Sequence, residues 1–523
     1  MEKAKAHGII QALFSSIGRK VRHCFMEILG KSILELQEAM DRGELNSKEL
    51  VFFYLERIAK YDKSGIAVNS VAEINPDAIF IAEALDRERK LTGKRGPLHG
   101  IPVLIKDNIN TGDKMRTTAG SVSLKDNIAK DDSPLVANLR KAGAVLLGKT
   151  NLSEFARYIA TDTINGFSSY GGQVLNPYNI NKDVSGSSSG SGVAASCEFA
   201  TATIGTETEG SIVGPAIANG VVGLKPTVGV VSRAGIIPIA GQDTAGPMGR
   251  TVEDVAIVLS AIAGGDGVND AAPMCTDYLI EKDYTKFLAK NGLKGMRIGV
   301  NRGEYENLTE DKKEIFDIAI KDMETAGATI VENCNVPNVY GQFEFSSRPA
   351  LVNEFRLQID AYLAHYGNSK MRTMGDIIQY NNEHYEIALK YGQDIFIQAQ
   401  TQTSGRLTDP EYIHEKIRIL NKSQKDGIDR IVTEKNIDVL VCPGYSDLPP
   451  IAGYPVINVP AGFDKDDMPY GISFIGEAFQ EGKILRAAYG YEQATHRRKA
   501  PDLDCKQIRS EIIEQSTFKI DED

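Results

Sequence analysis

The hydrophobic positions of this chain change period several times, and each change marks an element. From Ser32 the stretch SILELQEAMDRGELNSKELVFFYLERIAKYD places apolar residues at Ile33, Leu36 and Met40, breaks at Gly43, and resumes at Leu50, Phe53, Leu55 and Ile58 with Ser47 in the N-cap position. That spacing predicts a helical hairpin with an apolar stripe turned to a core. Short apolar runs without helical period predict strands at 66–74, 103–105 and 144–147, with a helix over 133–141 between the last two. Residues 228–239 read as short strands and turns, and 251–262 as an apolar helix. Residues 295–333 read as strand (MRIGV), helix (DKKEIFDIAIKDMETAG) and strand (TIVENC), a βαβ unit of the parallel-sheet kind. Three further strand runs, 437–443, 456–460 and 471–476, precede a helix over 484–495. The sheet is therefore expected to draw on the first and last thirds of the chain. Between them, 346–435 is mostly helical and polar, with Tyr362, Tyr366, Tyr380, Tyr385 and Tyr391 spaced through it. It reads equally well as a lid that shapes a substrate site and as plain helical cladding.

Composition narrows the function classes. The 523 residues carry 59 Lys and Arg against 70 Asp and Glu, a formal charge of −11, which disfavours nucleic acid as a partner. The six cysteines (Cys24, Cys197, Cys275, Cys334, Cys442, Cys505) form no CxxC pair and have no His at ligand spacing, so neither a zinc site nor a disulfide framework is indicated. Reduced thiols fit a cytoplasmic protein. No run of eighteen apolar residues predicts a membrane-spanning helix. Residues 1–28 combine a short apolar run with Arg19, Lys20, Arg22 and His23; they fit a secretory signal poorly and read as a leader or extension that leaves targeting or surface association open. Residues 501–523 read as a loosely held tail.

The chemistry concentrates in 183–226, where DVSGSSSGSGVAASCEFATATIGTETEGSIVGPAIANGVVGLKP crowds small hydroxyls and glycines together and nearly excludes charge. A serine hydroxyl needs a base to become a nucleophile, and an oxyanion hole needs backbone N–H groups that approach closely, as glycine permits. Ser187 and Ser211 stand out. Histidine, the usual base, is poorly placed, because only His99 lies near a motif and it sits in a Gly-Pro turn. Lys106 ends the apolar run 103–105, where burial could lower its pKa far enough for it to act as a base. A second hydroxyl between lysine and nucleophile could pass the proton in both directions, so Lys106, Ser187 and Ser211 read as one relay. Two formal motif matches are set aside. The Walker-like GAVLLGKT at 143–150 is itself a strand rather than an open phosphate loop, and the G-x-S-x-G at 186–190 has no apolar strand leading into it.

The stretches LHGIPVLIKDNI, KTNLSEFA, SGSSSGSGVAAS, GTETEGSI, GVVGLKPTVGVVSRAGIIP and QDTAGPMGRTVED resemble the amidase signature family. The likeness is most specific over 96–260 and extends more weakly from about residue 32 over most of the chain. It implies an α/β fold, a single large mixed, mostly parallel β-sheet covered by helices on both faces, with the family domain over 29–500 and the variable helical region near 340–435. It further implies a Ser–cis-Ser–Lys triad of Ser211 as nucleophile, Ser187 as bridging serine after a cis peptide at Gly186–Ser187, and Lys106 as base. An oxyanion hole from the backbone N–H groups of Thr208, Glu209, Gly210 and Ser211 is implied too, and no metal or organic cofactor.

Where many members of that family have Asp-x-Gly-Gly-Ser-Ile-Arg, this chain has Glu207-Thr208-Glu209-Gly210-Ser211-Ile212-Val213. That variant resembles the peptide amidase branch, whose members release ammonia from C-terminal carboxamides, and differs from the amidotransferase subunits that supply ammonia for tRNA-linked transamidation. The other readings are a hydrolase of small amides, esters or carbamates, and a degenerate amidase acting as a binding protein. Glu209 puts a carboxylate beside the expected oxyanion hole, a position the sequence does not explain.

Overall fold

A computed structural model describes residues 28–337, 339 and 348–505. Most of the N-terminal extension and of the C-terminal tail expected above lies outside the described residues. The strands, in chain order, are β1 (Val71–Ile74), β2 (Pro102–Lys106), β3 (Val145–Thr150), β4 (Phe167–Ser168), β5 (Gly172–Gln173), β6 (Ala202–Glu207), β7 (Val222–Lys225), β8 (Thr244–Gly249), β9 (Arg297–Val300), β10 (Thr329–Val331), β11 (Val439–Pro443), β12 (Val456–Phe463) and β13 (Pro469–Ile475). Eleven of them make one sheet in the order β1-β3-β2-β6-β8-β7-β12-β13-β11-β9-β10, and β4 pairs with β5 alone.

The sheet is mixed, as expected, but not mostly parallel. Among the described residues four pairings are parallel, β3 with β2, β2 with β6, β11 with β9 and β9 with β10. The other six are antiparallel. A fully buried strand reads as the same apolar run whichever way its neighbours point, so direction was hidden in the pattern. The middle of the chain also gives more than expected, since β6, β7 and β8 all lie between 202 and 249. Strand β6 (ATIGTE) was missed because its small and hydroxylic residues resemble a site loop rather than an apolar run. The strands expected in 228–239 are only isolated bridges, such as Val228 with Val231 and Ile109 with Ile236.

Alternate residues of one strand reach two different cores, which is the signature of a sheet covered on both faces. Val439 and Val441 of β11, with Ile457 and Val459 of β12, join the large cluster that contains the Val252–Ile262 and Glu481–Thr495 helices. Leu440 and Cys442, with Val456, face a second cluster that includes Val213 and Ile431. The helical hairpin forms as predicted, Ile33–Asp41 and Ser47–Arg57, except that Asn46 rather than Ser47 caps the second helix. The βαβ unit is present as β9, the Glu310–Thr325 helix and β10, in parallel.

The expected helical region begins with Pro349–His365 and continues through Met374–Glu383, Asp394–Gln402 and Pro410–Ser423. Ala350 and Ile419 join the cluster on the sheet that holds Leu440 and Val456, while most of the region's apolar side forms a separate cluster with Phe155, Tyr158, Ile237 and Ile239. Edge-to-face ring contacts link Phe155 to Phe396 at 4.9 Å, Phe396 to Phe355 at 5.1 Å and Phe355 to Tyr158 at 4.8 Å. The turn that presents Phe155, Ala156 and Arg157 has positive φ at all three residues (45°, 55° and 71°). Backbone in that region is unfavourable for side-chain-bearing residues, so the rings that hold it matter. Phe396→Ala is expected to lower the unfolding free energy by about 3 kcal/mol in urea titration, the usual consequence of emptying a buried phenyl site. A change below about 1 kcal/mol would mean that these helices are not packed on the turn.

Candidate active site

Strand β2 places Lys106 at its carboxyl end, beside the parallel strand β6. Beyond β6 the chain turns through Thr208, Glu209 and Gly210 into Ser211, and Gly210 makes the turn with φ of +73°. The Val213–Ala218 helix starts just after, and the Glu207 carboxylate accepts the N–H groups of Ile212 (2.6 Å) and Val213 (3.0 Å) at its start. The serine-rich turn before the Ser189–Ser196 helix meets this segment from the other side, where Ser188 N–H donates to the Ser211 carbonyl at 3.1 Å. The Ser187 carbonyl is held by Ser153 N–H at 3.0 Å, and the peptide between Gly186 and Ser187 is cis. A Cβ at residue 186 would lie 2.5 Å from Ser153 Oγ, so only glycine fits there.

Lys106 is 0% exposed. Burial pushes its pKa down to about 7, against the opposing pull of the Asp243 and Glu207 carboxylates. Its Nζ lies 2.8 Å from Ser187 Oγ, 2.9 Å from Ser188 Oγ, 2.9 Å from Thr206 Oγ1 and 3.3 Å from the Thr206 carbonyl. The protons can be counted. Ser188 Oγ donates to the Thr206 carbonyl at 3.0 Å and accepts from Thr206 N–H at 3.2 Å, so it is an acceptor toward the lysine. Thr206 Oγ1 already accepts from Asn108 Nδ2 at 3.0 Å. A neutral amine has two protons and one lone pair; the protons go to Ser188 and Thr206, and the lone pair is left for the Ser187 hydroxyl. The hydroxyl aimed at the lone pair is also on the wall of the cavity that holds Ser211.

That cavity has a volume of about 250 Å³ and is walled by Ser187, Ser211, Glu209, Arg157, Arg348 and Tyr445, among others. Ser187 Oγ and Ser211 Oγ share it without a direct hydrogen bond among the described residues. The Tyr445 ring closes one side so tightly that a Cβ on Gly210 would come to 3.0 Å of it. Glu209, unexplained by sequence, forms an ion pair with Arg348. A second cavity of about 400 Å³, lined by Asn108, Thr206, Thr208 and Asp243, shares Ala156 with the first. Thr208 Oγ1 donates to Asp243 at 2.6 Å, and the same carboxylate accepts the Ile239 and Ala240 N–H groups. Burial raises the pKa of Asp243 to about 6.

The structure thus brings Lys106 and Ser187 into contact and Ser211 and the Thr208–Ser211 backbone into the same place. Three positioning residues went unread: Ser188, noticed only as a non-nucleophile, and Asn108 and Thr206, which sit unremarked in the KDN and GTETEGS runs. Arg348 carried no local signal at all. The set-aside motifs behave as expected. Residues 145–150 are strand β3, and Lys149 is buried in it, donating to the Ile109 carbonyl at 2.7 Å. His99 is buried with Nε2 2.9 Å from the Leu85 carbonyl, away from the serines' cavity. Among the described residues no three His, Cys, Asp or Glu side chains cluster as a metal site, and no helix is long and apolar enough to cross a membrane.

Comparison with known proteins addresses the whole chain. Residues 49–485 match the family model described as Amidase. The native peptide amidase of Stenotrophomonas maltophilia is 41% identical, with 91% of this chain and 99% of that one covered and a TM-score of 0.86. An amidase family protein from Bacillus anthracis str. Ames is 37% identical, covers 92% of this chain and 94% of its own, and has a TM-score of 0.87. A "probable amidase" of Arabidopsis thaliana is 39% identical over 504 residues, 94% of this chain and 96% of its own length. A likeness that runs through every strand of the large sheet, at this identity, leaves one assignment: the chain belongs to the amidase signature family of hydrolases.

Proposed function

We propose that the protein hydrolyses primary carboxamides, C-terminal peptide amides in particular, through an acyl-enzyme formed on Ser211. The observation that carries this reading is the 2.8 Å contact between buried Lys106 Nζ and Ser187 Oγ, where a neutral amine whose protons go to Ser188 and Thr206 would leave its lone pair for the hydroxyl. Ser211 Oγ attacks the amide carbon; its proton passes to Ser187, and the Ser187 proton passes to Lys106 Nζ. The oxyanion is received by backbone N–H groups of Thr208, Glu209, Gly210 and Ser211. As the C–N bond breaks, the proton returns through Ser187 to the leaving nitrogen and ammonia departs. Water then repeats the steps on the acyl ester and frees the carboxylic acid. Whole-length likeness to the S. maltophilia peptide amidase supports the substrate class.

Ammonia release from a C-terminally amidated dipeptide is expected to exceed that from simple aliphatic amides by at least about tenfold in kcat/KM. Preference for an ester or carbamate would shift the reading to those substrates, and preference for free glutamine would shift it to an amidotransferase subunit. Ser211→Ala is expected to lose at least about 10³-fold in kcat and all covalent labelling by a fluorophosphonate, followed by intact-protein mass spectrometry. Undiminished turnover would sink the mechanism.

The lysine sets the pH dependence. Its base form is the neutral amine, so with a pKa of about 7 the active fraction is complete above that pH and falls as the medium is acidified. kcat/KM is expected to rise through a pH near 7 to a plateau, with an acid limb of about tenfold per pH unit. Lys106→Met should abolish that limb together with most of the rate; an unchanged limb in the residual activity would assign it to another group.

A further inference from the structure

The Glu209 side chain is 3% exposed and that of Arg348 8%, and the two pair on the wall of the Ser187–Ser211 cavity. The other Glu209 oxygen accepts from Gln242 Nε2 at 3.0 Å, and the same Nε2 donates to the Thr208 carbonyl at 3.2 Å. The second arm of the guanidinium, Arg348 Nη2, reaches Asp447 Oδ2 at 3.1 Å, two residues past the Tyr445 that packs on Gly210. Arg348 directly precedes the Pro349–His365 helix. One guanidinium therefore joins the nucleophile turn, the segment after β11 and the start of the helical region.

Two physical consequences follow from this geometry. A carboxylate carried by one of the residues whose amides receive the oxyanion repels the negative charge that develops in acyl transfer, and in a buried wall the repulsion is weakly screened. A fixed guanidinium cancels it. In addition, a guanidinium that bridges the Glu209 and Asp447 carboxylates, one nitrogen to each, ties the turn to the segment that carries Tyr445. We propose that Arg348 is a positioning residue for the reaction, neutralising Glu209 and holding the Thr208–Ser211 amides in register. Resting on the acyl-enzyme reading above, the role ties catalytic competence to the helical region, which thereby does more than cover the sheet.

The test is an Arg348→Met, Glu209→Gln double-mutant cycle with fluorophosphonate labelling rate and kcat and KM on an amidated dipeptide as readouts. Arg348→Met is expected to lower kcat and the labelling rate by roughly 10²-fold, with KM changed by less than about threefold. Glu209→Gln added to it removes the uncompensated buried charge and is expected to restore at least about tenfold of that loss. Arg348→Lys keeps the charge but not the fork, and is expected to stay within about tenfold of the native kcat, which keeps the test informative if Arg348→Met does not fold. A folded double variant no faster than Arg348→Met, or an Arg348→Lys variant as slow as Arg348→Met, overturns the proposal. Native protein that does not label at Ser211 would instead overturn the acyl-enzyme reading itself, so the two failures are separable.

Discussion

The site depends on keeping one lysine dry. Water would hold Lys106 as an ammonium with a pKa near 10.5, whereas its buried position at the end of β2 brings that down to about 7. The difference corresponds to roughly 5 kcal/mol between charged and neutral forms, more than any single hydrogen bond at the site contributes. It persists because both flanks are strands, β3 and β6, and because Ser188 Oγ and Thr206 Oγ1 beside Nζ are already engaged with other partners. The surroundings still carry enough nearby charge, from Asp243 and Glu207, to stop the pKa from falling further.

The remainder of the core serves to bring two separate turns to that amine. Both are glycine- and serine-rich because they approach backbone closely: a side chain at 186 would strike Ser153, and one at 205 would come to 2.7 Å of Ser188 Oγ. Backbone hydrogen bonds from Ser188 to Ser211 and from Ser153 to Ser187 then fix the two turns to each other and to the segment after β3. The low charge of 183–226 follows from the same constraint, since a charged side chain there would need a buried partner. Glu207 and Glu209 are the exceptions in the turn that leads to Ser211, and each has one: helix N–H groups for Glu207, Arg348 and Gln242 for Glu209.

The helical region occupies a middle position between lid and cladding. Its rings hold the left-handed turn at Phe155–Arg157, two residues of which line the serines' cavity, and Tyr362 joins Asn110 at 2.7 Å beside the second cavity. Both cavities are therefore walled where this region meets the loops beyond the sheet, while Lys106 itself lies on strand β2.

Local pattern was enough to find the hairpin, the βαβ unit, most strands and the three side chains of the proposed relay. Helix period, apolar runs and the chemistry of a serine without a histidine are all properties of neighbouring residues. Strand direction was not among them, because a strand buried on both faces has the same apolar sequence in either sense; six antiparallel pairings only emerged from the sheet. Strand β6 looked like part of a site loop since hydroxyls and glycine make up half of it. Most plainly, Glu209 is inexplicable within GTETEGS, and its partner Arg348 is an ordinary arginine within its own segment. Only folding brings together two charges that are far apart in the chain, and burial then makes each necessary to the other.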